Sequence, residues 1–311
     1  QFTVAKTKLT SDPISTIQFK GGAMYDVNDN MSTFANFGLV EKPPIMDNVI
    51  DEDGNEAKNI TKEKFQSIEV GVNYRVGNMA IKANYYMTDW KDRNLTKALT
   101  TGQGSSGDTE IIYLTGVNQN HSGLEIEGSM QVHEMVRLDA ALSMGTWKFL
   151  DDASGTLKDE GNNVLGEYNY ALKDLFVGDM PQTSMALGAT ITPMSGLGIQ
   201  TLFNFYDKNY ADWSPSSREI AADPDRNQVW MAPSYSKIDL HVNYNLPISL
   251  GNTRMSAFLH VFNVLDAVYI QDAYDNSDYN SFNDDGDHDA SSAEVFLGTP
   301  RYFNLGLNVH F

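Results

Sequence analysis

The side chains best equipped for chemistry are few, and several sit late in the chain. Asn283-Asp284-Asp285-Gly286-Asp287-His288-Asp289 gathers hard oxygen donors on one short run, the donor set that calcium takes. The EF-hand spacing fails there, because with Gly286 at position six, Ser281 and Ser292 fall at positions one and twelve. Asp284, Asp285, Asp287 and Asp289 are a weak calcium candidate, with a solvated acidic loop as the competing account. The six histidines, His121, His133, His241, His260, His288 and His310, show no zinc-ligand spacing, and three fall on polar strand faces. No Gly-rich phosphate loop, nucleophile elbow or HExxH is present. The chain has no cysteine, which excludes a disulfide framework, a thiolate metal site and a cysteine nucleophile together. These residues point to no enzyme and no cofactor.

Period-two alternation supplies the elements that must position any site. Phe303, Leu305, Leu307, Val309 and Phe311 alternate with Asn304, Gly306, Asn308 and His310. Successive strand side chains point to opposite faces, so one face is apolar and the other polar or small. Ile68, Val70, Val72 and Tyr74 repeat the pattern, as do Met79 to Met87, Leu124 to Val132 and Ile238 to Tyr244. Less regular candidates cover 16–27, 31–40, 136–149, 184–193, 197–208 and 253–264. The sum is about eleven strands, each near the roughly 9–11 residues that cross a bilayer at a tilt. No stretch approaches the roughly 20 apolar residues of a membrane helix.

The connections alternate strictly between short and long. Short ones are expected at Asn28–Asn30, Val76–Asn78, His133–Met135, Met194–Ser195 and Pro247–Asn252, long ones at 41–63, 91–118, 150–182, 209–233 and 265–299. Transmembrane barrels have tight turns on one side and long loops on the other. Charge follows the same partition. The segment 265–299 carries acidic residues and no Lys or Arg, and the predicted lipid-facing positions carry no charge at all. A cation facing hydrocarbon at the midplane costs roughly 2–4 kcal/mol, so a bilayer demands this segregation. The net charge of −19 argues against nucleic acid as a partner, because phosphate binding needs Lys and Arg. The expected fold is an all-β transmembrane antiparallel barrel in outer-membrane lipid. Trp213, Trp230 and Tyr274 are expected as ligand contacts at the lumen mouth, although an interfacial girdle also draws Trp and Tyr to strand ends.

Particular motifs resemble a known family. The terminal alternation ending on Phe311 resembles the C-terminal assembly signature of bacterial outer-membrane proteins. Asn263-Val264-Leu265-Asp266-Ala267-Val268-Tyr269 resembles the run that follows the penultimate strand of TonB-dependent receptors. Gly21-Gly22-Ala23-Met24-Tyr25-Asp26-Val27-Asn28, with Phe34-Ala35-Asn36-Phe37-Gly38, resembles a mid-barrel hairpin of that family, particularly its nutrient-uptake branch with lipoprotein partners. Phe205 to Asp212 resembles a strand end entering a late extracellular loop.

The resemblance implies the C-terminal half of a 22-stranded barrel, with residues 1–311 as strands 12–22 and the plug domain and TonB box outside this sequence. It also implies bacterial outer-membrane localisation, import of a ligand driven by TonB through the missing N-terminal region, and a possible surface lipoprotein partner. An odd strand count leaves two edges unpaired in lipid, so Gln1 is expected inside a loop of a longer chain. A non-transporting structural barrel subunit of an export or assembly complex is the alternative.

Overall fold

The computed structural model describes residues 13–44, 61–101, 108–158, 164–220, 224–250, 253–277, 280 and 287–310. Eleven strands form one antiparallel sheet in chain order. They are β1 (Gln18–Asn28), β2 (Met31–Lys42), β3 (Glu63–Val76), β4 (Met79–Thr101), β5 (Asp108–His133), β6 (Val136–Phe149), β9 (Pro181–Met194), β10 (Leu197–Tyr210), β12 (Tyr235–Leu250), β13 (Thr253–Phe262) and β16 (Tyr302–His310). The expected all-β architecture and each expected strand are present. The described residues contain one helix, the single turn α1 (Pro215–Arg218).

Register makes the alternation continuous across the sheet. Ala35 pairs with Val70, Val70 with Tyr85, Tyr85 with Leu124 and Leu124 with Met144, so one outward row crosses five strands. Val70, Tyr85, Leu124 and Met144 are each exposed, a placement that costs free energy in water and is favourable against lipid. The next row in is polar. Asn36 donates to Glu69 at 3.0 Å, and Asn84 donates to Glu125 at 2.9 Å. Two inward glycines are covered by rings. A Cβ at Gly71 would lie 2.5 Å from the Phe34 ring, and one at Gly306 would lie 2.3 Å from Phe258.

Short turns fall at Asp29–Asn30, Gly77–Asn78, Glu134–Met135 and Ser195–Gly196, with β12 and β13 separated by 251–252. Bulges at Asp26/Asn28, Gln131/His133, Leu197/Ile199 and Leu246/Ser249 all lie beside these turns, where extra twist helps the strands reverse.

The opposite ends differ from the sequence expectation in one respect: 91–118 is largely strand. β4 and β5 run to 23 and 26 residues, more than twice a bilayer crossing. The alternation breaks at a bulge between Trp90 and Arg93, where Asp92 has φ 55°, and at Gly116 with φ 71°. Past these points, β7 (Ala153–Lys158) pairs with β5, and β8 (Val164–Tyr170) pairs with β7. β11 (Met231–Ala232) pairs antiparallel with the end of β10, and β14 (Ile270–Tyr274) pairs with β15 (Glu294–Leu297). The long connections thus build a folded cap. Its core is Ile112, Leu114, Val117, Phe149, Tyr170, Leu172, Leu175, Trp213 and Val229, all buried.

Candidate ligand pocket at the barrel mouth

A pocket opens where the cap meets the inward face of β9, β10, β12, β13 and β16. It is lined by Asp179, Met180, Pro181, Tyr206, Tyr235, Lys237, Phe262, Asn263, Tyr269, Gln271, Asp272, Thr299 and Tyr302. Its volume is about 410 Å³, within the range of small-molecule sites. Hairpin register brings its rings together. Tyr206 pairs with Tyr235 across β10 and β12, their centroids 5.0 Å apart. Phe262 pairs with Tyr302 across β13 and β16, stacked at 4.6 Å and 14°. Both pairs lie on the polar, inward parity of their strands.

Tyr269 joins this set through the turn at Asn263. Asn263 has φ 51°, a left-handed conformation that Asn tolerates better than most residues. Its backbone N–H donates to Asp239 at 2.8 Å, its side-chain amide donates to the Ala267 carbonyl at 2.9 Å, and its Oδ1 accepts from the Ala267 N–H at 2.9 Å. Asp266, at φ 54°, accepts from the Arg301 N–H at 2.8 Å. The chain folds back so that Tyr269 stacks on Tyr235 at 4.4 Å and 18°. The motif that carried the family resemblance is therefore a turn that places one ring of the pocket.

Asp179 forms an acidic edge. Burial raises its pKa to about 6, with Asp212 and Asp272 adding to the rise and Lys97 and Arg93 opposing it. Its carboxylate accepts no hydrogen bond among the described residues, although its N–H donates to the Tyr210 carbonyl at 3.3 Å.

Trp213, Trp230 and Tyr274 lie together on the adjoining seam of the cap. Trp213 is 2% exposed, within the cap core, 5.5 Å from Tyr170. Lys97 pairs with Asp212 and sits 4.9 Å from the Trp213 ring and 5.3 Å from the Tyr274 ring, a double cation–π contact. Asp212 bridges to Tyr274, and the Trp230 N–H donates to Asp275 at 3.0 Å. The structure therefore gathers the three aromatics, with Trp213 facing protein. Sequence reasoning missed Tyr206 and Tyr235, for which the available signal was inward parity next to a long connection, and read Tyr269 as part of the family motif without placing it at a ligand site.

Asp284 and Asp285 lie outside the described residues. Asp289 caps a turn, accepting from the Ser291 N–H and Oγ at 2.7 Å each. These hydrogen bonds lower its pKa. Among the described residues no group of three or more His, Asp or Glu is arranged to hold a metal. Phe303, Leu305, Leu307 and Val309 are exposed along β16, and Phe311 lies outside the described residues.

Beneath the seam, Arg218 and Asp275 are fully buried and 3.2 Å apart. His288 joins them, with Nδ1 2.6 Å from Asp275 Oδ2 and Nε2 against Asp225. Burial lowers the His288 pKa, but the hydrogen bonds to Asp275 and Asp225 outweigh it and hold the pKa above the usual imidazole value.

Comparison with known proteins agrees with this architecture. Residues 3–264 match the family model described as TonB dependent receptor-like, beta-barrel. Curated protein sequences return no match. Among solved structures, the copper transporter OprC aligns over 93% of this chain and 38% of its own, at 17% identity and a TM-score of 0.57. The ferric yersiniabactin uptake receptor FyuA from Yersinia pestis aligns over 93% of this chain and 36% of its own, at 16% identity and 0.57. The siderophore receptor PiuA from Acinetobacter baumannii aligns over 94% and 36%, at 14% identity and 0.58. The chain spans little more than a third of each of these proteins. With its sheet, register and lipid-facing rows, the chain belongs to the TonB-dependent receptor family and carries part of that family's bacterial outer-membrane β-barrel.

Proposed function

We propose that this chain is the C-terminal portion of a 22-stranded outer-membrane receptor that imports a ligand under TonB control, and that the mouth pocket contacts the ligand. The observation that carries this reading is the inward-facing cluster of Tyr206, Tyr235 and Tyr269 beside Asp179, at the junction of lumen and cap. Flat rings whose hydroxyls have no hydrogen-bond partner among the described residues, with a nearby carboxylate, give a ligand both apolar contact and hydrogen bonds. Trp213 and Tyr274 hold Lys97 beside that edge, and the Trp230 backbone is tied to the same seam through Asp275. The apolar row Phe303, Leu305, Leu307, Val309 and Phe311 serves as the outer-membrane assembly signal, and a surface lipoprotein is a partner suited to the folded cap.

Intact mass and N-terminal sequence of the protein extracted from outer membranes test this reading. The aligned 93% of this 34.6 kDa sequence, taken as 38% of the whole, predicts about 85 kDa with a plug domain upstream. A mass near 34.6 kDa would instead favour a structural barrel subunit.

A further inference from the structure

His241 on β12 and His260 on β13 are direct cross-strand partners on the inward face. Their Nδ1 atoms are 2.9 Å apart, and their ring centroids 4.9 Å. Phe258 stacks on His260 at 5.0 Å, and Phe262 meets His241 edge-on at 5.4 Å, so aromatic neighbours hold both imidazoles. Neither Nε2 has a hydrogen-bond partner among the described residues. Asp239, the nearest inward carboxylate along β12, is already committed to the Asn263 N–H at 2.8 Å and Asn204 at 3.4 Å.

We propose that His241 and His260 form a two-imidazole binding site for one divalent transition-metal ion, of the copper or zinc class, on the barrel wall. Metal–nitrogen bonds are about 2.0–2.1 Å, so two nitrogens on one ion lie roughly 2.9–3.4 Å apart at coordination angles between square and tetrahedral. The observed Nδ1 separation already lies at the lower end of that range. Imidazole favours copper, zinc and nickel over calcium or magnesium, and affinity among these peaks at copper. Among the described residues no third protein donor converges, so luminal water would complete the coordination. The ion would tie β12 to β13 one layer below the pocket and, through the His241–Phe262 contact, fix part of the pocket's lining. Without a metal, the same contact is a single N–H···N hydrogen bond, in which one imidazole donates from Nδ1.

The test uses the full protein in detergent, stripped with chelator and titrated with Cu²⁺ while electron paramagnetic resonance is recorded. The expected result is one saturable site whose spectrum carries two imidazole nitrogens. Affinity falls roughly tenfold or more in His241→Asn and in His260→Asn, and is unchanged in His121→Asn. Each variant is first confirmed as folded by the heat-dependent gel mobility of an intact barrel. In parallel, Zn²⁺ raises the melting temperature of the wild type and not that of either variant, because a ligand of the folded state stabilises it. A Cu²⁺ site of equal affinity in the wild type and both folded variants, or no saturable site in the wild type, overturns the proposal.

Discussion

The Arg218 guanidinium and the Asp275 carboxylate are 3.2 Å apart, neither has any exposure to solvent, and they join two separate connections of the cap. Further partners solvate the pair in part: Arg218 donates to the Asn227 carbonyl at 2.7 Å, and Asp275 accepts from the Trp230 N–H at 3.0 Å, while Arg218 Nε has no partner among the described residues. Removing Arg218 leaves the buried Asp275 carboxylate with only His288 and the Trp230 N–H as partners. Arg218→Met should therefore cost about 3–5 kcal/mol of local stability. Hydrogen exchange at Trp230 and Asp275 should accelerate accordingly, while the amides of β3 and β4 inside the membrane stay protected.

His288 makes the cap sensitive to pH. Its pKa is raised in the folded state, so its contribution is fully present below the unfolded value of about 6.5 and is lost as pH rises through the folded value. Burial pushes the Asp225 pKa up, but hydrogen bonds from the Asn227 N–H and His288 outweigh it and lower the pKa overall. That contribution is present above an unfolded value of about 3.9 and is lost as pH falls through the folded one. Limited proteolysis should find the cap most resistant between these limits and cleave it faster at alkaline pH. His288→Gln should remove the alkaline dependence.

Asp179 titrates in the opposite sense to Asp225. Its raised pKa, about 6, means that ionisation opposes the folded cap, so its penalty appears as pH rises and vanishes in acid. Asp179→Asn should slow cap opening above pH 6 relative to the wild type and leave it unchanged near pH 4, as read by hydrogen exchange.

The bilayer assignment predicts a sharp contrast between neighbouring residues. Leu124→Lys places a charge in the outward row and should cost about 2–4 kcal/mol if it lies near the midplane. Glu125→Gln, one residue away on the inward face, removes a charge that accepts from Asn84, and a neutral acceptor remains. It should change stability by about 1 kcal/mol or less. Urea unfolding from lipid vesicles measures both.

Much of this fold was legible because the bilayer imposes one rule on every crossing. Rows such as Val70, Tyr85 and Leu124 must be apolar, so each strand announces its own face, and each tight turn follows where that alternation stops. Outside the bilayer the rule lapses. The extensions of β4 and β5 were read as loop because the bulge after Trp90 shifts the parity and β5 then packs against a cap core on one side. The pairing of His241 with His260 and of Tyr206 with Tyr235 depends on hairpin register, which a search for local ligand spacing cannot see. The gathering of Trp213, Trp230 and Tyr274 depends on bridges between connections far apart in sequence, such as Asp212 to Tyr274.

Growth and uptake measure the central claim most directly. A strain lacking the gene is compared with strains carrying the wild type, Tyr235→Ala or Tyr269→Ala, over a panel of nutrient and metal sources, with and without TonB. The account predicts at least one source whose uptake needs both the gene and TonB. It also predicts that each tyrosine variant, present in the outer membrane at the wild-type level, lowers that uptake about tenfold, equivalent to about 1.4 kcal/mol of lost contact. Unimpaired uptake of every source in the deletion strain, accompanied by loss of another outer-membrane complex, would contradict it.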